Sequence, residues 1–277
     1  MSAQRYCSLF NLPQGVAFRF VQGDVCAIQL ESIFDGAQVV IHLAALTDAA
    51  TSFDRKDAVK RVNFEGSKRV AEACVKTGAS LIFPSTTSVY GVQSGLVDES
   101  CPMSQLKPQS PYAETKLLSE QWLGACEDLN YVILRLGTIF GVSPGIRFHT
   151  AVNKFIWQAS IGQPLTVWRT AMNQGRPYLA VSDAVRAFKQ IITNKLFNRH
   201  LFNIVTLNTT VCEIINEIRN HIPSLCVELV DERIMNQLSY EVSSARFEET
   251  HFSFQGSLSN DVAETISLLS QNRQARS

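Results

Sequence analysis

The sequence predicts an α/β fold built on a parallel sheet, and three observations carry that expectation. Short continuous apolar runs recur, as in "AQVVIHLAA" (Ala37–Ala45), "ASLIFPST" (Ala79–Thr86) and "NYVILRL" (Asn130–Leu136). Such runs mark strands buried on both faces, which is the situation of a parallel sheet covered by helices. Amphipathic stretches long enough for helices separate the runs. The chain has 277 residues, 45% of them hydrophobic, which is enough for a large domain with a packed core.

Taken in order, "VAFRFVQGDV" (Val16–Val25) reads as a strand ending at Gly-Asp, and "AIQLESIFDG" (Ala27–Gly36) as a short helix closed by Gly36. "AQVVIHLAA" is a buried strand. "DAVKRVNFEGSKRVAEACVKTG" is a long helix with Gly78 at its C-terminal cap. "ASLIFPSTTSVYG" is a strand that runs into a turn, and "SPYAETKLLSEQWL" opens with Ser-Pro and continues as a helix. "NYVILRLGTIFG" (Asn130–Gly141) is a fourth buried strand.

The second half changes character. "FHTAVNKFIWQASIG" is an amphipathic helix. "RPYLAVSDAVRAFKQIIT" is a short strand entering a helix, with Ser182 as its N-cap and Asp183 in its first turn. "HLFNIVTLNTTVCEIINEIRNHI" repeats the pattern. The expected division is a sheet domain over 1–145, a smaller substrate lobe over 146–270 that returns some elements to the main sheet, and a tail over 271–277.

Composition narrows the function. Lys plus Arg and Asp plus Glu each number 25, so the formal charge is zero and no basic field is available to attract nucleic acid. Seven cysteines without a C-x-x-C pair point to reduced thiols rather than a disulfide framework. The five histidines show no H-x-x-x-H spacing, which argues against a dedicated zinc site. No run approaches the ~18 apolar residues of a membrane span, and "MSAQRYCSLFNLPQG" lacks a signal-peptide pattern. A soluble cytoplasmic protein is expected.

In a parallel sheet, ligands bind beyond the carboxyl ends of the strands. There the sequence places a run of hydroxyls, "PSTTSVYG" (Pro84–Gly91), and one supersecondary unit later Tyr112 and Lys116. The i, i+4 spacing puts phenol and ammonium on one helix face. A nearby ammonium favours the phenolate, and a strand-end hydroxyl such as Thr86 would hold a substrate oxygen beside it. This set suits removal of a proton from a secondary alcohol while its carbon gives hydride to a nicotinamide. Singly, each motif also fits a plainer role, a half-buried tyrosine with a solvated lysine or a strand-end turn.

With "VQGDV", "VIHLAA", "VNFEGSKRVAEA", "FPSTTSVYG", "SPYAETK", "LRLGTIFG" and "RPYLAVSDAVRA" in this order, the chain resembles the extended short-chain dehydrogenase/reductases of the NAD-dependent epimerase/dehydratase family. The resemblance implies a Rossmann-like doubly wound sheet and NAD as cofactor, with NADP left open. It also implies a nucleotide-diphosphate sugar as substrate and a homodimer through the Asp57–Gly78 and Tyr112–Asp128 helices. It gives Tyr112 the role of base, Lys116 that of its partner on the nicotinamide ribose, and Thr86 that of the group on the reacting oxygen. Asp24 would lie at the adenine, and Leu43, Ala44 and Ala45 would line the cofactor. Asn63 would brace the sheet behind it. Thr87, Ser88 and Thr138 would face the sugar nucleotide, and Arg176 and Arg233 its diphosphate, where planar guanidinium forks suit the anion. The activity implied is transient oxidation of a sugar hydroxyl, as in a 4-epimerase, with a reductase or decarboxylase of the same family as the alternative.

The sequence departs from that pattern at its start, at Thr87 and Ser88, at Thr138, where an asparagine is common, and at Pro177, where an aspartate commonly follows the arginine. The family opens on a strand, a G-x-x-G-x-x-G turn and a helix that hold the cofactor pyrophosphate, and this sequence shows no such motif. A truncated gene product, a partner chain that supplies the segment, or a cofactor-free relative acting as a binding or scaffold protein would each account for it. Thr87 and Ser88 stand where the family's dehydratases carry Asp-Glu, which argues against elimination.

Overall fold

The computed structural model describes residues 15–49, 51–231 and 239–274. The chain runs as irregular backbone to a short helix, α1 (Glu31–Phe34), and then to β1 (Val39–Ile41). A long helical stretch follows, made of α2 (Lys56–Val59), a π-helical turn (Lys60–Glu65) and α3 (Gly66–Thr77). Gly78 ends it at φ 73°, a left-handed conformation open to glycine without steric cost. Next come β2 (Ser80–Thr86), the short β3 (Leu96–Val97) and α4 (Pro111–Ala125). The Ser110 hydroxyl accepts from the Ala113 N–H and Pro111 occupies the first turn, so α4 starts where its sequence says it should.

The chain continues through β4 (Tyr131–Leu136), β5 (Thr138–Phe140), α5 (Ala151–Ser160) and β6 (Leu165–Trp168). It goes on through β7 (Gly175–Ala180), α6 (Val181–Thr193), β8 (Asn198–Ile204) and β9 (Leu207–Thr210). The capped helix α7 (Val211–His221), β10 (Val227–Val230), β11 (Glu241–Val242), α8 (Ala245–Glu248) and α9 (Leu258–Gln274) complete it.

Four strands form the main sheet in the order β1-β2-β4-β8, each pair parallel. Alternate side chains of β2 and β4 enter opposite cores. Leu81, Phe83, Tyr131 and Ile133 pack with Val70, Cys74 and Leu123 from α3 and α4. Ile82, Val132 and Leu134 pack with Ala187 and Ile191 of α6 and with Phe247 of α8. Burial on both faces explains why these strands read as unbroken apolar runs. Three smaller sheets, β5-β7-β9, β6-β10 and β3-β11, carry the rest. Beside them α5, α7 and α9 enclose a separate core around Phe155, Ile156, Leu165 and Ile215. Both α6 and β8 belong to the main sheet and its cover although they lie late in the chain.

Three expectations need correction. Val16–Val25 forms no strand; among the described residues no strand lies beside it, and Val16, Phe18 and Phe20 are more than half exposed. A β-type sequence without a ladder partner has nothing to hold it extended. For the same reason β1 pairs only with β2 among the described residues, and its other edge is open. The run Asn130–Gly141 is two strands, not one: Gly137 separates β4 in the main sheet from β5 in the second. A Cβ at Gly137 would lie 3.0 Å from the Tyr178 backbone, so the close approach of β7 favours glycine there. Ser182 lies inside α6, whose N-cap is Ala180. Its neighbour Asp183 is fully buried and accepts from the Gln255 and Gly256 N–H groups and from Thr206.

Two stability predictions follow from this packing. Phe247 is fully buried with its ring centroid 5.2 Å from Phe202 and 4.8 Å from Phe252. Phe247→Ala should lower unfolding stability by about 3–5 kcal/mol in urea titrations. His42, just beyond β1, is buried, with its Nε2 3.0 Å from the Ser67 hydroxyl. Burial first, and the Lys116 ammonium second, push its pKa down from 6.5 to about 3. The folded chain refuses a proton that the unfolded chain takes up below about pH 6.5, so stability falls as pH drops through that window toward 3. His42→Gln should flatten this part of the stability–pH curve; an unchanged slope would show that His42 is protonated alike in both states.

Candidate active site

The carboxyl end of β2 and the first turns of α4 build the centre of the site. Thr86 ends β2, and its hydroxyl accepts from the Ser88 N–H at 3.1 Å. The same hydroxyl is near enough to the Tyr112 phenol to draw its pKa down. One turn along α4, Lys116 is only 3% exposed. Its ammonium donates to the Pro84 carbonyl at 2.7 Å and lies 4.6 Å above the Phe83 ring. Thr86, Tyr112 and Lys116 are thus brought together as their spacing suggests.

The electrostatics differ from the sequence expectation. Lys116 points at a carbonyl, and no lowering of the phenol by its ammonium is resolved. Burial pushes Tyr112 up to about 12, against which the Thr86 hydroxyl and the Arg147 guanidinium pull in the lowering direction. Lys116 itself is driven from 10.5 down to about 8 by burial, with Glu120 opposing that shift. In the geometry described, the phenol carries its proton at neutral pH.

Asn63, fully buried in the π-helical turn, braces the turn after β1. Its Oδ1 accepts from the Leu46 N–H at 2.8 Å, and its Nδ2 donates to the Leu46 carbonyl at 3.0 Å and toward Thr115 of α4 at 3.5 Å. The side chain therefore links the chain at Leu46, just after Leu43–Ala45, to α4. Leu43 and Ala44 are exposed and Ala45 is partly so. Asp24 is engaged elsewhere: it accepts from the Cys26 N–H and pairs with Arg61 at 2.7 Å on the surface.

On the far side, Thr87 is buried and its hydroxyl lies 3.3 Å from both the Leu136 carbonyl and the Tyr240 phenol. Ser88 also acts on the Tyr240 phenol, drawing its pKa down. Arg176 of β7 approaches Gln174 at 3.5 Å and acts electrostatically on Tyr178 and Tyr240. Thr138 opens β5 opposite Tyr178. Thr87, Ser88 and Arg176 therefore share one wall with Tyr240 in its centre. Arg233 lies outside the described residues.

Three further residues belong to this region. Arg147, in the loop after β5, donates to Thr47 at 2.7 Å and faces the Tyr112 phenol. Tyr240 closes the wall just described. No local pattern marks either, because each arrives from a distant segment. Glu120, four residues beyond Lys116, was legible in the spacing: Tyr112, Lys116 and Glu120 recur at i, i+4 and i+8 on one face of α4.

Residues at the strand ends suit the nicotinamide ribose of a dinucleotide, since a lysine ammonium, a phenol and a threonine hydroxyl meet there. The described residues include no pyrophosphate cradle. A cradle needs glycines at close approach ahead of a helix N-terminus. Among residues 15–49, a Cβ at Gly15 or Gly36 would meet nothing within 4 Å, and one at Gly23 would meet only its neighbour Ile28. Among the described residues there is also no group of His, Cys, Asp and Glu able to hold a metal ion.

Comparison with known proteins gives this geometry a family. The model of the NAD dependent epimerase/dehydratase family matches residues 2–204. A protein of Bacillus subtilis (strain 168) named as an uncharacterized UDP-glucose epimerase is 29% identical over 192 residues, covering 67% of this chain and 58% of that protein. The Arabidopsis thaliana trifunctional UDP-glucose 4,6-dehydratase/UDP-4-keto-6-deoxy-D-glucose 3,5-epimerase/UDP-4-keto-L-rhamnose-reductase is 28% identical over 285 residues, 96% of this chain and 42% of that protein. The chain thus spans about half the length of these curated relatives. The solved structure of MoeE5 with UDP-glucuronic acid and NAD superposes with a TM-score of 0.82 at 27% identity, over 95% of this chain and 88% of that one. The chain belongs to the NAD dependent epimerase/dehydratase family.

Proposed function

We propose that the chain acts on a nucleotide-diphosphate sugar, using Tyr112 to move a proton at one ring hydroxyl during a transient oxidation, as a 4-epimerase does. The observation that supports this most is the meeting of Tyr112, Thr86 and buried Lys116 at the end of β2. The names of the relatives agree with the substrate class. In this reading NAD, when bound, accepts and returns a hydride.

The chain's own residues do the rest. Thr86 and Tyr112 hold one sugar oxygen between two hydroxyls. Tyr112 takes its proton only when its pKa falls from about 12 toward neutrality. The cations at hand for that are Arg147 and the Lys116 ammonium one turn away. Arg176, beside Tyr240 and Ser88, receives the diphosphate with its planar fork. Thr87 and Ser88 offer hydroxyls and no carboxylate, which favours return of hydride to the same carbon, and of the proton to its oxygen, over elimination. Two chains would pair through α3 and α4, where Val75 and Leu118 are exposed.

The second reading is a binding or scaffold protein that keeps the fold without the cofactor. Calorimetry with NAD and NADP separates the two: binding supports the enzyme, and no binding by any form of the chain supports the scaffold.

For the enzyme, Tyr112→Phe should lower kcat for epimerisation of a UDP-hexose by about 10²–10⁴-fold, with the circular dichroism spectrum unchanged. Full activity in that variant would remove Tyr112 from the mechanism. Arg147→Gln removes a cation that lowers the phenol pKa, so the alkaline-rising limb of kcat against pH should move to higher pH. A limb that stays in place would assign it to another group.

A further inference from the structure

Three consecutive residues of β2 each hold a different position of α4. The Pro84 carbonyl accepts from Lys116, the Ser85 hydroxyl donates to Glu120, and the Thr86 hydroxyl meets Tyr112. The middle contact is the anchored one. Glu120 is 5% exposed and Arg135, on neighbouring β4, is 3% exposed. The Arg135 guanidinium donates to the two Glu120 oxygens, through Nε at 3.2 Å to each and through Nη2 at 2.7 Å to Oε2. The guanidinium also lies 4.8 Å over the Tyr90 ring, whose phenol donates to Asn203 of β8 at 2.9 Å. The carboxylate is therefore tied directly to β2 and β4, and to β8 through Arg135 and Tyr90.

We propose that Glu120 is a positioning residue of the active site: held by Arg135 and Ser85, it fixes the register of α4 on β2 and supplies the anion that keeps the buried Lys116 charged. The proposal rests on the reading of Tyr112 and Lys116 given above. Its physical basis is that an ammonium taken out of water loses its proton unless a negative group stands near. The charged and titratable groups around Lys116 are few. Tyr112 and Glu120 share its helix, buried His42 faces it from the end of β1, and Arg135 stands behind Glu120 on β4. Arg147 faces Tyr112 from the loop after β5. Of these, Glu120 is the one that favours the charged lysine.

A double-charged buried pair is also a folding element, so the test must read something a merely structural role leaves alone. Protein carrying ¹³Cε,¹⁵Nζ-lysine gives a titration for each ammonium by NMR, with Lys116 assigned from Lys116→Met. This readout needs neither cofactor nor turnover. Glu120→Gln should lower the Lys116 midpoint by about one pH unit, a tenfold change in its protonation equilibrium. Glu120→Gln/Arg135→Met, which leaves no unpaired buried cation and so avoids the worst folding penalty, should lower it in the same direction. Glu120→Asp, which keeps the charge, should restore it in part. A Lys116 midpoint equal to wild type in the folded charge-removed variants would overturn the proposal. The two readings fail separately. Loss of the Lys116 shift with turnover still dependent on Tyr112 rejects the role of Glu120 alone. An intact shift with turnover indifferent to Tyr112→Phe rejects the catalytic reading alone.

Discussion

The hydrogen bond from the Lys116 ammonium to the Pro84 carbonyl joins positions 32 residues apart in the chain, and the site depends on it. A lysine buried to this degree sheds most of its hydration, and the desolvation draws its pKa well down toward neutrality. The structure offsets that cost with a carbonyl, an aromatic face and a carboxylate one turn on. The carbonyl and the ring belong to β2 and the carboxylate to α4, so the lysine's surroundings bind that helix to that strand. The geometry of the candidate site and the helix–strand register are therefore one structural fact at this place.

Much of the fold was legible because its signals are local. The left-handed glycine at 78, the Ser110-Pro111 start of α4 and the two-sided burial of β2 and β4 all announce themselves within a few residues. Where the sequence misled, the missing term was a neighbour. Val16–Val25 has the alternation of a strand and no strand to pair with among the described residues. Asn130–Gly141 is largely apolar, and nothing in it shows that Gly137 is where the chain passes from one sheet to the next.

The site follows the same rule. Thr86, Tyr112 and Lys116 lie on adjoining elements and came together as their spacing suggested. Tyr240 and Arg147 reach the site from segments far along the chain, so only the folded molecule shows them. The charge state of Tyr112 was equally out of reach: it turns on burial and on where the Lys116 ammonium points, and neither is written in an i, i+4 spacing.

The Gly137 junction has a mechanical consequence. A single residue separates β4, paired in the main sheet, from β5, paired with β7 in the second sheet. Both flanking strands are locked by ladder hydrogen bonds, and the glycine is wedged against the Pro177 and Tyr178 backbone. No length of free chain remains there to act as a hinge. The main sheet, which carries Pro84 and Thr86, and the second sheet, which carries Arg176, are therefore joined through one glycine with a strand ladder on either side.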